Sequence, residues 1–569
     1  MTAKRLSVAV LWHMHQPDYV DGYTGRPIMP WVRLHAQLSY YDMIRLVREE
    51  PRARAVFNVV PSLLRQLDDA ASGRTEDDFQ RLSRNNPADL DVDDKLLLLR
   101  DFFSFNQARR FVELPRLREL WETRGGDGRE KIDPDVVARF DDQDLLDLQV
   151  GFNLAWCGRT LREDPRVARL FVKGRDFSET DKQELLEVQK DFLGRILPAY
   201  REAAESGQVE LSCTPLNHPI LPLLCDTEAA HEALPDLPLP AARFRHPGDA
   251  WFHVRTALDE TERLCGVRPV GMWPAEGSVS EAALKVFETE RLRWVATDQG
   301  VLANSWRKAG EAQPAPGHFQ PYRWGGDEAP AVFFRDTGLS DNLGFRYQSW
   351  PAEDAVNDLL HHLEIIRQGV PEDGAYIVPL ILDGENPWEF YPDNGIDFLS
   401  QLYAGIAKTE TLEWTTFDAF LSRDDATPAV LPSVCAGSWI NADFTTWVGH
   451  VEKNRGWEYL AGVREAFETK LAAADALTEV TLADGRTVTA PNPARVGPAC
   501  DGDLPRAMAA MANAESSDWF WWYGDDNPTD FAREFDALFR RHLANVANHL
   551  GDDPDPRLDK PVLGQGRDS

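Results

Sequence analysis

Short apolar runs, each ending in a polar or Gly/Pro-containing turn, recur along the chain. In order they are "LSVAVLW" (6–12), "ARAVFNV" (53–59), "QVELSCT" (208–214), "RPVGMW" (268–273), "RWVATD" (293–298), "AVFFRD" (331–336) and "AYIVPLIL" (375–382). They are near-continuous rather than alternating, the pattern of strands covered on both faces in a parallel sheet. Helix-period stretches such as "YYDMIRLVREE" (40–50) and "AEDAVNDLLHHLEIIRQG" (352–369) lie between them. Parallel strands need such crossovers. The pattern predicts an α/β fold: an incomplete (β/α)7 barrel, one βα unit short of the usual eight.

The interval from 60 to 207 is too long for a single connection. Its helical patterning, as in "DDKLLLLRDFFSFNQARRFVEL" (93–114), predicts a helical insertion over about 65–205 of a barrel domain spanning 1–425. Beyond that, "WEYLAGVREAFETKLAAADAL" and "PTDFAREFDALFRRHLANVANHL" read as amphipathic helices, with a hairpin at "TEVTLADGRTVTA" between them. They predict a C-terminal helical domain over 426–550, packed on the barrel. Residues 551–569 read as a loosely ordered tail.

Composition narrows the partners. A hydrophobic content of 43% over 569 residues describes a globular chain with more than one core. A net charge of −32 argues against nucleic acid and anionic membrane surfaces, leaving neutral or cationic ligands. No apolar stretch approaches the roughly 18–20 residues that span a bilayer. The start, "MTAKRLSVAVLWHMHQP", has the basic residues of a secretory leader, but its apolar run is short and lacks a small-residue cleavage site. It reads as a buried first strand. Six dispersed cysteines without a Cys-x-x-Cys pair suit reduced core residues in a cytoplasmic protein. Nothing in the pattern specifies an oligomeric state.

The chemistry of a parallel barrel collects where its strands end. The first run ends in His13, His15 and Gln16, the third in Asn217 and His218, and the fourth in Trp273 and Glu276. The fifth ends in Asp298, the sixth in Arg335, Asp336 and, shortly after, Asp341; the seventh ends in Asp383, Glu385 and Trp388. Three chemistries compete for this set. Histidines with carboxylates suit a metal-dependent, deacetylase-like barrel, yet the chain has neither a Cys cluster nor a His-Glu-x-x-His helix. Nucleophilic-serine and phosphate chemistry would need a Gly-x-Ser-x-Gly elbow or a Gly-rich loop before Lys-Ser/Thr, and both are missing. Glycoside cleavage needs two carboxyl groups flanking a bond, with flat apolar surfaces for sugar faces. Eighteen tryptophans suit that demand, with Trp273 and Trp388 as candidate platforms.

"HMHQPDY", "CTPLNHPILPLL", "GMWPAEGSVS", "FFRDTGLSDNLGF" and "ILDGENPWEFY" resemble, in order, five sequence regions of glycoside hydrolase family 57, in its α-amylase/amylopullulanase-like branch. "MPWVRLHAQLSYYDM", "FNVVPSLLRQL" and "GSWINADFTTWVGHVEKNRGW" extend the similarity over about 5–460. The resemblance implies a seven-stranded incomplete barrel and a following helical region that helps form the substrate groove. It also implies a retaining mechanism on α-glucans, with no metal or other cofactor. By motif, Glu276 matches the nucleophile, and Asp336 is taken for the acid/base in preference to Asp341 because it sits directly at the strand end. His13, His15 and His218 match positions around the cleaved sugar, and Trp439 and Trp447 lie in the groove region. Trp273, Arg335, Asp383 and Trp388 complete the expected substrate-binding set, with Asp298 in support. As a general acid Asp336 should be protonated. Arg335 is therefore expected to point away from it, and burial beside ionised Glu276 to raise its pKa. Hydrolysis, 4-α-glucanotransfer and glycogen branching share these residues. A non-catalytic glucan-binding relative would lack one of the two carboxylates.

Overall fold

The computed structural model describes residues 5–564 other than 373. All seven predicted strands form: β1 (Leu6–Met14), β2 (Ala55–Val59), β3 (Val209–Cys213), β4 (Gly271–Met272), β5 (Trp294–Asp298), β6 (Ala331–Arg335) and β7 (Ile377–Asp383). Their spatial order is β7-β1-β2-β3-β4-β5-β6, parallel throughout. β6 and β7 share no strand ladder, so the barrel has a seam. Three bonds cross it: Asp336 N–H to the Pro379 carbonyl (2.9 Å), Arg335 Nε–H to the Ile381 carbonyl (2.6 Å) and Ile381 N–H to Ser340 Oγ (3.1 Å). The protein therefore has an incomplete (β/α)7 barrel with helical additions.

Strand side chains alternate between faces with period two. Ala9, Leu11, Val56, Trp294, Ala296, Phe333, Ile377 and Ile381 form one apolar cluster, which fills the barrel interior. Two residues beyond members of that cluster come His13, Asn58, Asp298, Arg335 and Asp383. Strand parity thus places five polar side chains at the same end of the same lumen. Register agrees, since His13 stands opposite both Asn58 and Asp383, and Asp298 opposite Arg335.

Between β2 and β3 the described elements are all helical, from Pro61–Ser72 to Ile196–Glu205. They enclose an apolar core of their own, including Phe79, Phe102, Leu148 and Phe152, to which Leu34 and Leu38 also contribute. After the barrel, Val451–Ala473 docks against Pro247–Cys265 through Arg464, whose guanidinium donates to both oxygens of buried Asp249 (2.6 and 2.8 Å). The hairpin forms between Leu477–Thr481 and Thr487–Pro491.

The tail differs from expectation. Leu558 and Val562 are buried, and the Val562 and Gly564 amides donate to Asp536 and Glu452. Two apolar side chains and two carboxylate bonds hold this segment down. Residues 565–569, and the basic start at 1–4, lie outside the described residues.

Candidate active site

Glu276 occupies the short turn Ala275–Gly277 after β4, with a left-handed backbone (φ 56°, ψ 25°). A non-glycine residue held there costs on the order of 1–3 kcal/mol and persists only when its surroundings fix it. Here the Trp439 amide donates to the Glu276 carbonyl (2.9 Å), and the Trp439 indole donates to its carboxylate (2.6 Å). Gly277 also has positive φ (60°) and lies so close over Trp273 that a Cβ would stand 2.6 Å from the indole. The "AEG" sequence thus reflects a turn pressed onto a buried tryptophan. Trp439 is in turn packed edge-to-face on Trp273 (5.2 Å) and lies under the Arg335 guanidinium (5.3 Å).

Burial, with the charges of Asp383 and Asp518, pushes the Glu276 carboxyl up to about 8 against the Trp439 bond. Asp383, at the end of β7, is also raised by burial, against its bond from Asn386 (3.0 Å) and the fields of His15 and Arg335. Both carboxyls are thus displaced upward, and the charge of Asp383 is among the causes that act on Glu276.

The surroundings of Asp336 do not raise its pKa as expected. One of its oxygens accepts the Leu339 amide (2.8 Å), capping Thr337–Asp341, and the other bonds His318 Nε2 (2.9 Å). Burial alone would raise its pKa. The His318 bond, the Leu339 amide and the charges of His318 and Arg335 outweigh that and take it below the ordinary carboxylate range. A carboxyl so held is stabilised in its anionic form. Arg335 does turn its hydrogen bonds elsewhere, to the Ile381 carbonyl, to Asp298 and to Asp341, yet its charge still reaches Asp336. Asp298 caps Gln299–Ala309 and accepts from Thr337 (2.8 Å), a supporting role.

The three histidines converge, but as a relay. Asn58 Nδ2 donates to Ser212 (3.1 Å), so its Oδ1 accepts from His13 Nδ1 (2.7 Å). His13 Nε2 is then the acceptor for His218 Nε2 (3.1 Å), and His218 Nδ1 accepts from the Ser517 hydroxyl (2.8 Å). Burial, then neighbouring imidazoles, drives His13 down to about 3 and His218 well below its usual value, so both are neutral. Both ring nitrogens of His13 and of His218 thus have partners within the protein. His15 is partly exposed, stacks on His218 (3.8 Å between centroids) and bonds Asp518 (2.8 Å). Asn217 and His218 both carry positive φ, and the Ser517 amide locks the turn by donating to the His218 carbonyl (3.0 Å).

Trp273 and Trp388, expected as sugar platforms, are fully buried, and so is Trp447, expected in the groove region. Trp273 supports the Glu276 turn. Trp388 is tied to the Gly384 carbonyl (2.8 Å) beneath the Asp383 loop, and Trp447 packs against Trp521. Sequence reasoning missed Asn58, His318, Ser517 and Asp518. Asn58 was readable from strand parity; Asp518, an acid inside "SSDWFWWYG", carries no such signal.

His15, His218 and Asp518 offer ligand atoms within 4.8 Å of one another, close enough in principle for one cation. His218 Nδ1 and Nε2 both have partners, and Asp518 already bonds His15 and Ser516, whereas His15 Nδ1 has no hydrogen-bond partner.

At one end of a parallel barrel the chain thus gathers carboxyls with raised pKa, one of them braced by an indole, beside neutral histidines. The model of glycosyl hydrolase family 57 matches residues 9–431, and the chain belongs to that family. A GH57-type branching enzyme from the archaeon Pyrococcus horikoshii shares its fold at a TM-score of 0.56 and 16% identity, covering 98% of this chain and 93% of that one. The α-amylase AmyC from Thermotoga maritima does so at a TM-score of 0.57 and 13% identity, over 96% and 93%. No curated protein matches the sequence. Among the described residues, no helix is long and apolar enough to cross a membrane.

Proposed function

We propose that the enzyme cleaves α-glucosidic bonds of α-glucans with retention of configuration, with Glu276 as nucleophile and Asp383 as acid/base. The observation that carries the reading is the pair itself: two carboxyls, both raised, at the ends of β4 and β7 of a family 57 barrel. In the first step a Glu276 oxygen bonds the anomeric carbon as the glycosidic C–O bond breaks, and the Asp383 proton passes to the departing oxygen. In the second, Asp383 takes the proton of an incoming hydroxyl whose oxygen displaces Glu276. Rigid placement by Trp439 and the strained turn suits the residue that must meet one carbon at one angle. Asp383 has one anchoring amide and partial exposure, which suits a group that exchanges protons with leaving group and acceptor.

The acceptor decides between hydrolysis and transfer, and the structural relatives include both an amylase and a branching enzyme. We favour hydrolysis of α-1,4 linkages. Incubation with amylose, pullulan and maltooligosaccharides, with products resolved by linkage and length, tests this. Shorter α-1,4 chains support it; new α-1,6 branches or lengthened chains would reassign the enzyme to transfer. No turnover of any α-glucan would sink the reading altogether.

A further inference from the structure

Away from Glu276 the molecule holds a cleft of about 1600 Å³ between the helical insertion, the loop after β7 and the C-terminal helical layer. It is larger than the roughly 300–1,000 Å³ of a pocket for one small ligand. Glu276, Asp383, the three histidines and Trp439 do not line it. Its walls carry Trp31 and Phe531, packed edge to face (5.5 Å), and Phe390, whose ring is 53% exposed on the wall. The charge of Arg129 is matched by Asp101 (2.6 Å) and Glu534 (2.9 Å). Burial drives the His35 imidazole down to about 4, which leaves it neutral, and the Glu389 carboxyl up to about 7, which leaves it only partly ionised. His35, only 7% exposed, lines the cleft with an Nδ1 that has no hydrogen-bond partner. Gln107 and Thr529 add an amide and a hydroxyl to the wall.

We propose that this cleft is a second carbohydrate site, binding several consecutive glucose units of an α-glucan at a distance from the bond being cleaved. The inference rests on the catalytic reading above. Flat apolar rings match pyranose faces, and amide and hydroxyl groups match sugar hydroxyls. Positive and negative side chains are mixed along the wall, which favours a neutral ligand over an ionic one, and the volume suits an oligomer. The cleft is also joined to the catalytic centre: the loop that starts at Asp383 reaches it at Glu389 and Phe390, whose carbonyls are tied down by Asn106 (3.1 Å) and Arg109 of the insertion. A chain held there is presented beside the acid/base.

The test titrates Glu276→Gln protein with maltoheptaose and follows amide hydrogen exchange. Protection is expected at 104–107 and 529–533 as well as at 437–440. Adding Phe390→Ala should weaken binding by about fivefold to tenfold without changing the thermal midpoint, because that ring is solvent-facing. Protection confined to the Glu276 surroundings, with Phe390→Ala binding like its parent, would overturn the second site and leave the catalytic reading intact. No maltoheptaose binding, together with no glucan turnover by the wild type, would remove both.

Discussion

What touches each carboxyl distinguishes Asp336 from Asp383. Both end a barrel strand and both are largely buried, so position in the sequence cannot separate them. The cap bond and His318 stabilise the Asp336 anion, whereas Asp383 accepts from one amide and is raised by burial. Asp383→Asn should therefore lower kcat by about 10²–10⁴, the usual worth of general acid–base catalysis. Asp336→Ala should act on stability, costing about 1 kcal/mol for the lost cap, with kcat changed only severalfold. Steady-state kinetics and urea unfolding of both variants check this; the reverse pattern would restore Asp336 as the acid. Trp439→Phe probes the nucleophile. The indole bond lowers the Glu276 pKa, so its loss should shift the acidic limb of the kcat/KM profile to higher pH and reduce kcat about 10-fold to 100-fold. An unmoved limb would mean that the indole does not set the ionisation of Glu276.

Elements position these groups by two means of unequal legibility. Strand periodicity is read directly from sequence, and once the seven runs are placed, parity alone brings His13, Asn58, Asp298, Arg335 and Asp383 into one lumen. The motifs around Glu276 and His218 were equally visible. What period two does not encode is contact across the chain. Asp518 and Ser517 reach the histidines from more than 290 residues away, through a docking of helices that no local pattern specifies. The tryptophans were misjudged for a related reason: composition counts aromatic rings but does not say which lie under a loop and which face solvent. The Ala275–Gly277 turn shows how an element can depend on such hidden packing. Gly277→Ala would force a Cβ into Trp273 and strain a residue with positive φ. It should destabilise the fold by about 1–3 kcal/mol and lower kcat at least tenfold by displacing Glu276. Calorimetry together with kinetics tests this, and a fully active, equally stable variant would refute the role given to Trp273.

Across the whole molecule, the cost of the site should appear in how stability depends on pH. Glu276 is held by the barrel on one side and by the 437–457 segment on the other, with Asp383 and Asp518 adding like charge. Its folded pKa, about 8, lies above the value of about 4.3 for a free glutamate. The folded protein therefore binds a proton that the unfolded chain has already released. The stability this group contributes is complete below about pH 4.3, falls as pH rises through the interval, and is gone above about 8. Glutamine in its place can still accept the Trp439 indole N–H but carries no charge to bury. Glu276→Gln should thus unfold at a higher temperature than the wild type at pH 8.5, by about 2 °C for a chain of this length. The difference should shrink towards zero at pH 4.5. Differential scanning calorimetry at the two pH values decides the matter. A gain that is the same at both, or a loss at pH 8.5, would mean that Glu276 is not carrying a burial-raised pKa, and the carboxyl pair would lose its electrostatic basis.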